Sequence, residues 1–78
     1  MSRKPTAEQQ ARFQRFCTAM IEDIRRSAFK AALVAGYSRR MAKSKSYLLA
    51  RRAFQKPGFR RAYRKAQEAH AARVNAEY

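Results

Sequence analysis

A glycine at position 36 divides the most helix-prone part of this chain in two. That division limits what the rest can become. Before it lies an alanine-rich segment, Ser27 to Ala35, in which Ala28, Ala31, Ala32 and Ala35 fall on one helical face. Glycine adopts positive φ at little steric cost, so Gly36 is expected to end that helix. Tyr37 and Ser38 follow, and Ser38 is suited to cap a second helix at once. Ala32 lies four residues before the glycine, where a larger side chain would clash with the second helix. Ala42 lies six residues after it and is expected to face back into the pair. The second helix carries Arg39, Arg40, Lys43, Lys45, Arg51 and Arg52. Two short helices around a glycine turn, the second rich in cations, are the layout of a helix-turn-helix.

The flanking segments supply the bulk that alanines lack. Thr6 and Gln9 have the spacing of a capping box. Behind them Phe13, Phe16, Cys17, Met20, Ile21 and Ile24 recur at three- and four-residue steps, so they share one face of a first helix. That helix is expected to give most of the bulky core. In the helix before Gly36, Leu33 is expected to reach the core, whereas Phe29 and Val34 are left for solvent or a partner. In the helix after it, Met41, Ala42, Leu48 and Leu49 are expected on the core side, with Lys45 at its edge. Lys56, Pro57 and Gly58 interrupt the pattern, and a last helix is expected from about Phe59, with Ala62, Tyr63, Ala66 and Ala69 in its stripe. The expected fold is all-α, a small helical bundle of about four helices containing a helix-turn-helix. Residues 1–5 read as a flexible basic arm, 6–58 as the DNA-binding domain, and 59–78 as a C-terminal helix that projects.

Charge narrows the class of partner. Lys and Arg number 19 against 5 Asp and Glu among 78 residues, a formal net charge of +14. So one-sided a surface repels itself and calls for a polyanion, nucleic acid first and an anionic membrane second. No apolar run is long enough to span a bilayer. The opening MSRKPTAEQQ has cations with no apolar core behind them, so it does not read as a secretory signal. The single cysteine, Cys17, allows no internal disulfide and suits a reducing cytosol. Enzyme signatures are absent. With Gly36 and Gly58 the only glycines, no phosphate-cradling loop can form. His70 is the lone histidine, so no cofactor or metal site is expected.

Double-stranded DNA therefore leads. A major groove admits one α-helix, and Arg or Lys can donate to guanine O6 and N7. Arg39, Arg40 and Lys43, at the start of the second motif helix, are the candidates for base edges. Ser44 and Tyr47 are placed to reach bases or phosphates, and Arg51 and Arg52 to bind phosphate. Arg3 and Lys4 on the arm are further phosphate candidates. If about six phosphates are neutralised, log K should fall with log salt at a slope near −5.

Several of these residues also resemble a known family. Gln10-Ala11-Arg12-Phe13 is similar to the Gln-x-x-Phe opening of the small terminase subunits of tailed double-stranded DNA phages. Ala31-Ala32-Leu33-Val34-Ala35-Gly36-Tyr37-Ser38 resembles that family's Ala-Ala-Ile-x-Ala-Gly-Tyr-Ser signature. Ala42, the pair Leu48-Leu49, and Lys56-Pro57 in place of Asn-Pro continue the likeness, which runs from about Thr6 to Tyr63. Ser46, Phe29 and Val34 depart from it. The resemblance implies a non-enzymatic role in viral genome packaging in the host cytoplasm. The chain would recognise viral DNA through Arg39, Arg40, Lys43, Ser44 and Tyr47 and deliver it to the large terminase subunit. The family's oligomerisation region and large-subunit-binding tail have no counterpart here, so a homo-oligomer would have to use the last helix, with Phe29 and Val34. A small helix-turn-helix transcriptional regulator is the alternative. A basic helical protein acting on membranes or on a partner protein is the third reading.

Overall fold

The computed structural model describes residues 6–77, with side-chain placement through residue 75. Four helices run in order: α1 (Ala7–Glu22), α2 (Ala28–Ala35), α3 (Arg39–Phe54) and α4 (Pro57–Glu77). No strand occurs among the described residues. The molecule is all-α, as its helical periodicity requires.

Each boundary has a local cause. At the start of α1 the Gln9 amide donates to Thr6 Oγ1 at 3.1 Å and the Thr6 amide donates to Gln9 Oε1 at 2.9 Å, a complete capping box. The helix stops at Glu22, so Ile24 lies in the following turn and not on the helical face expected of it. Asp23 is the reason. Its backbone is extended and its carboxylate accepts from the Arg25 amide at 3.0 Å, which offers the chain an alternative to helix. Ser27 caps α2 and Ser38 caps α3, each accepting an amide three residues on at 3.2 Å. α4 begins at Pro57, two residues earlier than the apolar stripe alone suggests. Proline is favoured at the first position of a helix, where its missing N–H leaves nothing unpaired.

Gly36 ends α2 at φ 104°, with the Gly36 amide donating to the Leu33 carbonyl at 3.1 Å and the Tyr37 amide to the Ala32 carbonyl at 3.0 Å. These paired bonds form a Schellman motif. A Cβ built on Gly36 would lie 3.7 Å from Arg15 Nη2, an ordinary contact. The backbone angle, not space, demands glycine here.

Small residues carry the centre of the core. Ala31, Ala32, Ala35, Ala42 and Ala53 are wholly buried, and among the described residues Phe16 is the one large side chain that is fully enclosed. Cys17, Ala19, Met20 and Phe59 complete it. α2 packs against both α1 and α3, and its buried alanines keep these helices close. Phe54, Phe59 and Tyr63 fasten the start of α4 to the end of α3. Their rings lie edge-on at 5.0 and 5.1 Å and stacked at 5.7 Å. Farther along α4, residues 71–73 are exposed.

Several apolar residues sit elsewhere than their spacing suggests. Leu33 is 39% exposed, Met41 39% and Leu48 44%, although their spacing assigns all three to the core. The buried residues of α3 are instead Ala42 and Ala53, with Leu49 half-buried between them, and this narrow seam leaves Met41 and Leu48 on the neighbouring face. Phe29 is half-buried against the core, while Val34 is exposed.

Candidate nucleic-acid interface

The turn at Gly36 presents α3 with one long side toward solvent. At about 100° per residue, Arg40, Lys43, Ser44, Tyr47 and Arg51 fall in one band. All are exposed, Tyr47 by 67%. Arg39, at the first position of α3, is exposed beside them. Ser44 Oγ donates to the Arg40 carbonyl at 3.0 Å, so its proton is used within the helix and its oxygen is left as an acceptor. Arg52 differs from the other candidates. Its guanidinium lies 6.0 Å from the centre of the Phe13 ring on α1, which places it on the side of α3 away from the band. Arg3 and Lys4 lie outside the described residues.

The distribution of carboxylates sharpens the picture. Among the described residues the ion pairs are Arg12–Glu8 at 2.9 Å, Arg25–Asp23 at 3.7 Å and Arg26–Glu22 at 4.0 Å. All lie on α1 or in the turn after it. From Ser27 to Lys56 the chain has eight cations and no acid. Every cation of the band is therefore free of a carboxylate partner among the described residues. Arg39 and Arg40 occupy the first turn of α3, where unpaired amides make the positive end of the helix dipole. Cations there weaken a helix by a few tenths of a kcal/mol to about 1 kcal/mol. A local choice against stability at an exposed site suits a polyanionic ligand.

Other arginines hold the unit together. Arg15 Nε donates to the Ala35 carbonyl at 3.0 Å, tying α1 to the end of α2. Arg26 Nη1 donates to the Ala19 carbonyl at 2.7 Å, in the last turn of α1. Both satisfy carbonyls near helix C-termini, where a cation is favoured. Spacing along α1 does not reveal Arg15's partner, because that partner lies twenty residues away.

A second feature lies on the adjoining face of α3. Met41, Lys45, Leu48 and Arg52 recur at steps of four, three and four residues and face the first half of α1. Between them and α1 runs a groove of about 860 Å³. Arg12 sits over the Tyr37 ring at 5.5 Å and Lys56 over the Phe13 ring at 4.7 Å. Arg12 Nε is buried without an acceptor, and the ring face beneath the guanidinium is its nearest compensation. Burial pushes the Tyr37 phenol above its ordinary range, against the pull of Arg12 and Arg52. Burial likewise raises the Cys17 thiol, against the pull of Lys56. Backbone hydrogen bonding from Arg25 lowers the Asp23 carboxyl.

No three His, Cys, Asp or Glu side chains are grouped as metal ligands among the described residues. No helix among them is long and apolar enough to cross a membrane. Comparison of the chain with protein-family models, with curated proteins and with solved structures finds no match.

Proposed function

We propose that this chain is the DNA-binding module of a small terminase subunit of a tailed phage, and that α3 enters the major groove of the duplex. The reading rests on one observation above all: an exposed, carboxylate-free cationic band on the second helix of a glycine-turned pair. The block from Ala31 to Ser38 and the Leu48-Leu49 pair support the family assignment by likeness. Arg39, Arg40 and Lys43 address base edges; Tyr47 and Arg51 hold the backbone on either side. Ser44 presents an acceptor, so it suits a base amine better than a phosphate. In this role the protein recognises viral DNA in the host cytoplasm and delivers it to the large terminase subunit, with no chemistry of its own.

Duplex binding measured across a salt series tests the proposal. Wild-type protein should show a log–log slope near −5 for about six phosphate contacts. Arg40→Ala and Lys43→Ala should each cost about 1–3 kcal/mol if they read bases, with helicity unchanged. Undiminished binding by the double variant removes α3 as the reader. Footprinting then distinguishes the assignments. Protection of a packaging site supports terminase, and a palindrome with half-sites one helical turn apart supports a regulator.

A further inference from the structure

The groove between α1 and α3 adjoins the cationic band, and the duplex proposal makes no use of it. Its floor is apolar: Phe13 and Leu49 are half-buried, and Met41 and Leu48 are exposed at 39% and 44%. Its rim is cationic, with Lys45, Arg52 and Lys56 lacking carboxylate partners among the described residues. Apolar floor and one-signed rim together specify the occupant. We propose that the groove docks an acidic amphipathic helix of a partner protein. The partner's apolar stripe covers Met41 and Leu48, and its carboxylates meet Lys45 and the Arg52 and Lys56 cations that lie over the Phe13 ring.

Charge and shape argue against the other occupants. A second copy of this chain would bring a further +14 to an already cationic rim. A DNA duplex offers phosphates to the rim but no apolar ridge to cover Met41 and Leu48. A single strand would need open ring faces for its bases. The Phe13 ring stacks beside Phe16 at 6.2 Å and carries Lys56 and Arg52 over it, and the Tyr37 ring carries Arg12. A helix with apolar residues at i, i+3 or i+4, and i+7 matches the exposed Met41 and Leu48 stripe, seven residues apart on α3.

The test uses the full chain and two fluorescent peptides of about 16 residues, long enough to hold a helix. One carries Leu at i, i+3, i+4 and i+7 with Glu and Ala on the other positions, which limits repulsion between glutamates four residues apart. The second has the same composition with the leucines dispersed. Anisotropy is read near 0.15 M salt, where loose charge attraction is screened beyond about 8 Å. The ordered peptide should bind at least about tenfold more tightly than the dispersed one. Amide shifts should cluster at Phe13, Met41, Lys45, Leu48 and Lys56. Met41→Gln with Leu48→Gln, which leaves the charge unchanged, should weaken the peptide about tenfold and leave duplex affinity as it was. Both side chains are substantially exposed, and thermal melting confirms that the variant is folded. Equal binding of the two peptides, shifts mapped elsewhere, or no effect of the double variant overturns the proposal. So does protection of the groove by duplex DNA, or a concentration-dependent shift of these amides without peptide. Because duplex affinity is read separately, failure here leaves the α3 band untouched, and the converse also holds.

Discussion

Arg40→Glu should stabilise this protein while impairing its hold on DNA. Arg40 is the second residue of α3, with Ser38 as the cap and no acid in the first turn. Its charge faces the positive end of the helix dipole, at a cost of about 0.3–1 kcal/mol at low salt. Glutamate removes that cost and adds a favourable term of the same size, for a total of about 0.6–2 kcal/mol. Net charge falls from +14, which further relieves self-repulsion. For a domain of this size about 1 kcal/mol moves the melting temperature by roughly 4–8 °C. Calorimetry or circular dichroism at 20 mM salt should therefore show a rise of several degrees, shrinking as salt is added. Arg64→Glu, an exposed change within α4, makes the same charge difference away from a helix start and should shift melting less. Duplex affinity of Arg40→Glu should fall by at least about 1 kcal/mol, whereas Arg64→Glu should have little effect. If Arg40→Glu melts lower than wild type, or binds duplex equally well, the picture of a cation kept at the helix start for its ligand fails.

Other predictions follow from single contacts. Gly36→Ala forces a Cβ residue to φ 104° and should cost about 1–2 kcal/mol by urea unfolding, with no steric contribution to relieve. Ala32→Leu puts bulk into a wholly buried position on α2 and should cost about 1–3 kcal/mol, read as a lower urea midpoint. Arg15→Ala removes the bond to the Ala35 carbonyl and should cost about 1–2 kcal/mol after allowance for its partial exposure, with amide exchange rising first at Gly36 and Tyr37. Burial raises both Cys17 and Tyr37 in the folded state. The unfolded chain then loses those protons first, so stability holds below the ordinary thiol value of 9.0 and falls as pH rises past it and past 10.0 for the phenol. Tyr37→Phe should flatten the upper part of that decline in pH-dependent urea titrations.

The apolar residues show where local reading stops. Alternation at three and four residues selects a face, but a helix face is wider than the seam a neighbour covers. On α3 the seam is Ala42, Leu49 and Ala53, so Met41 and Leu48 fall just outside it. Ala19 and Ala53, too small to stand out in a pattern of bulky residues, are buried. The groove follows from the same offset. Spacing assigns Met41 and Leu48 to the core side with Lys45 at its edge, and only the position of α1 turns this side, with Arg52, into one wall of a cleft. The cationic band was legible outright, because its residues repeat within one helix and no acid interrupts them. Arg52 adjoins Arg51 in sequence and reads as a phosphate candidate beside it, but its lean over Phe13 depends on α1.

What the chain settles by itself is local. Caps at Thr6, Ser27 and Ser38 and the stop at Gly36 depend on bonds within a few residues and on one backbone angle. The helical breaks and the run of uncompensated charge are therefore written in order along it. Which side chains are enclosed, which carbonyl Arg15 holds, and whether a cleft opens beside Met41 depend on how rigid helices lie against one another. That arrangement is decided by packing among residues far apart in sequence, where one alanine more or less sets the distance between two helices.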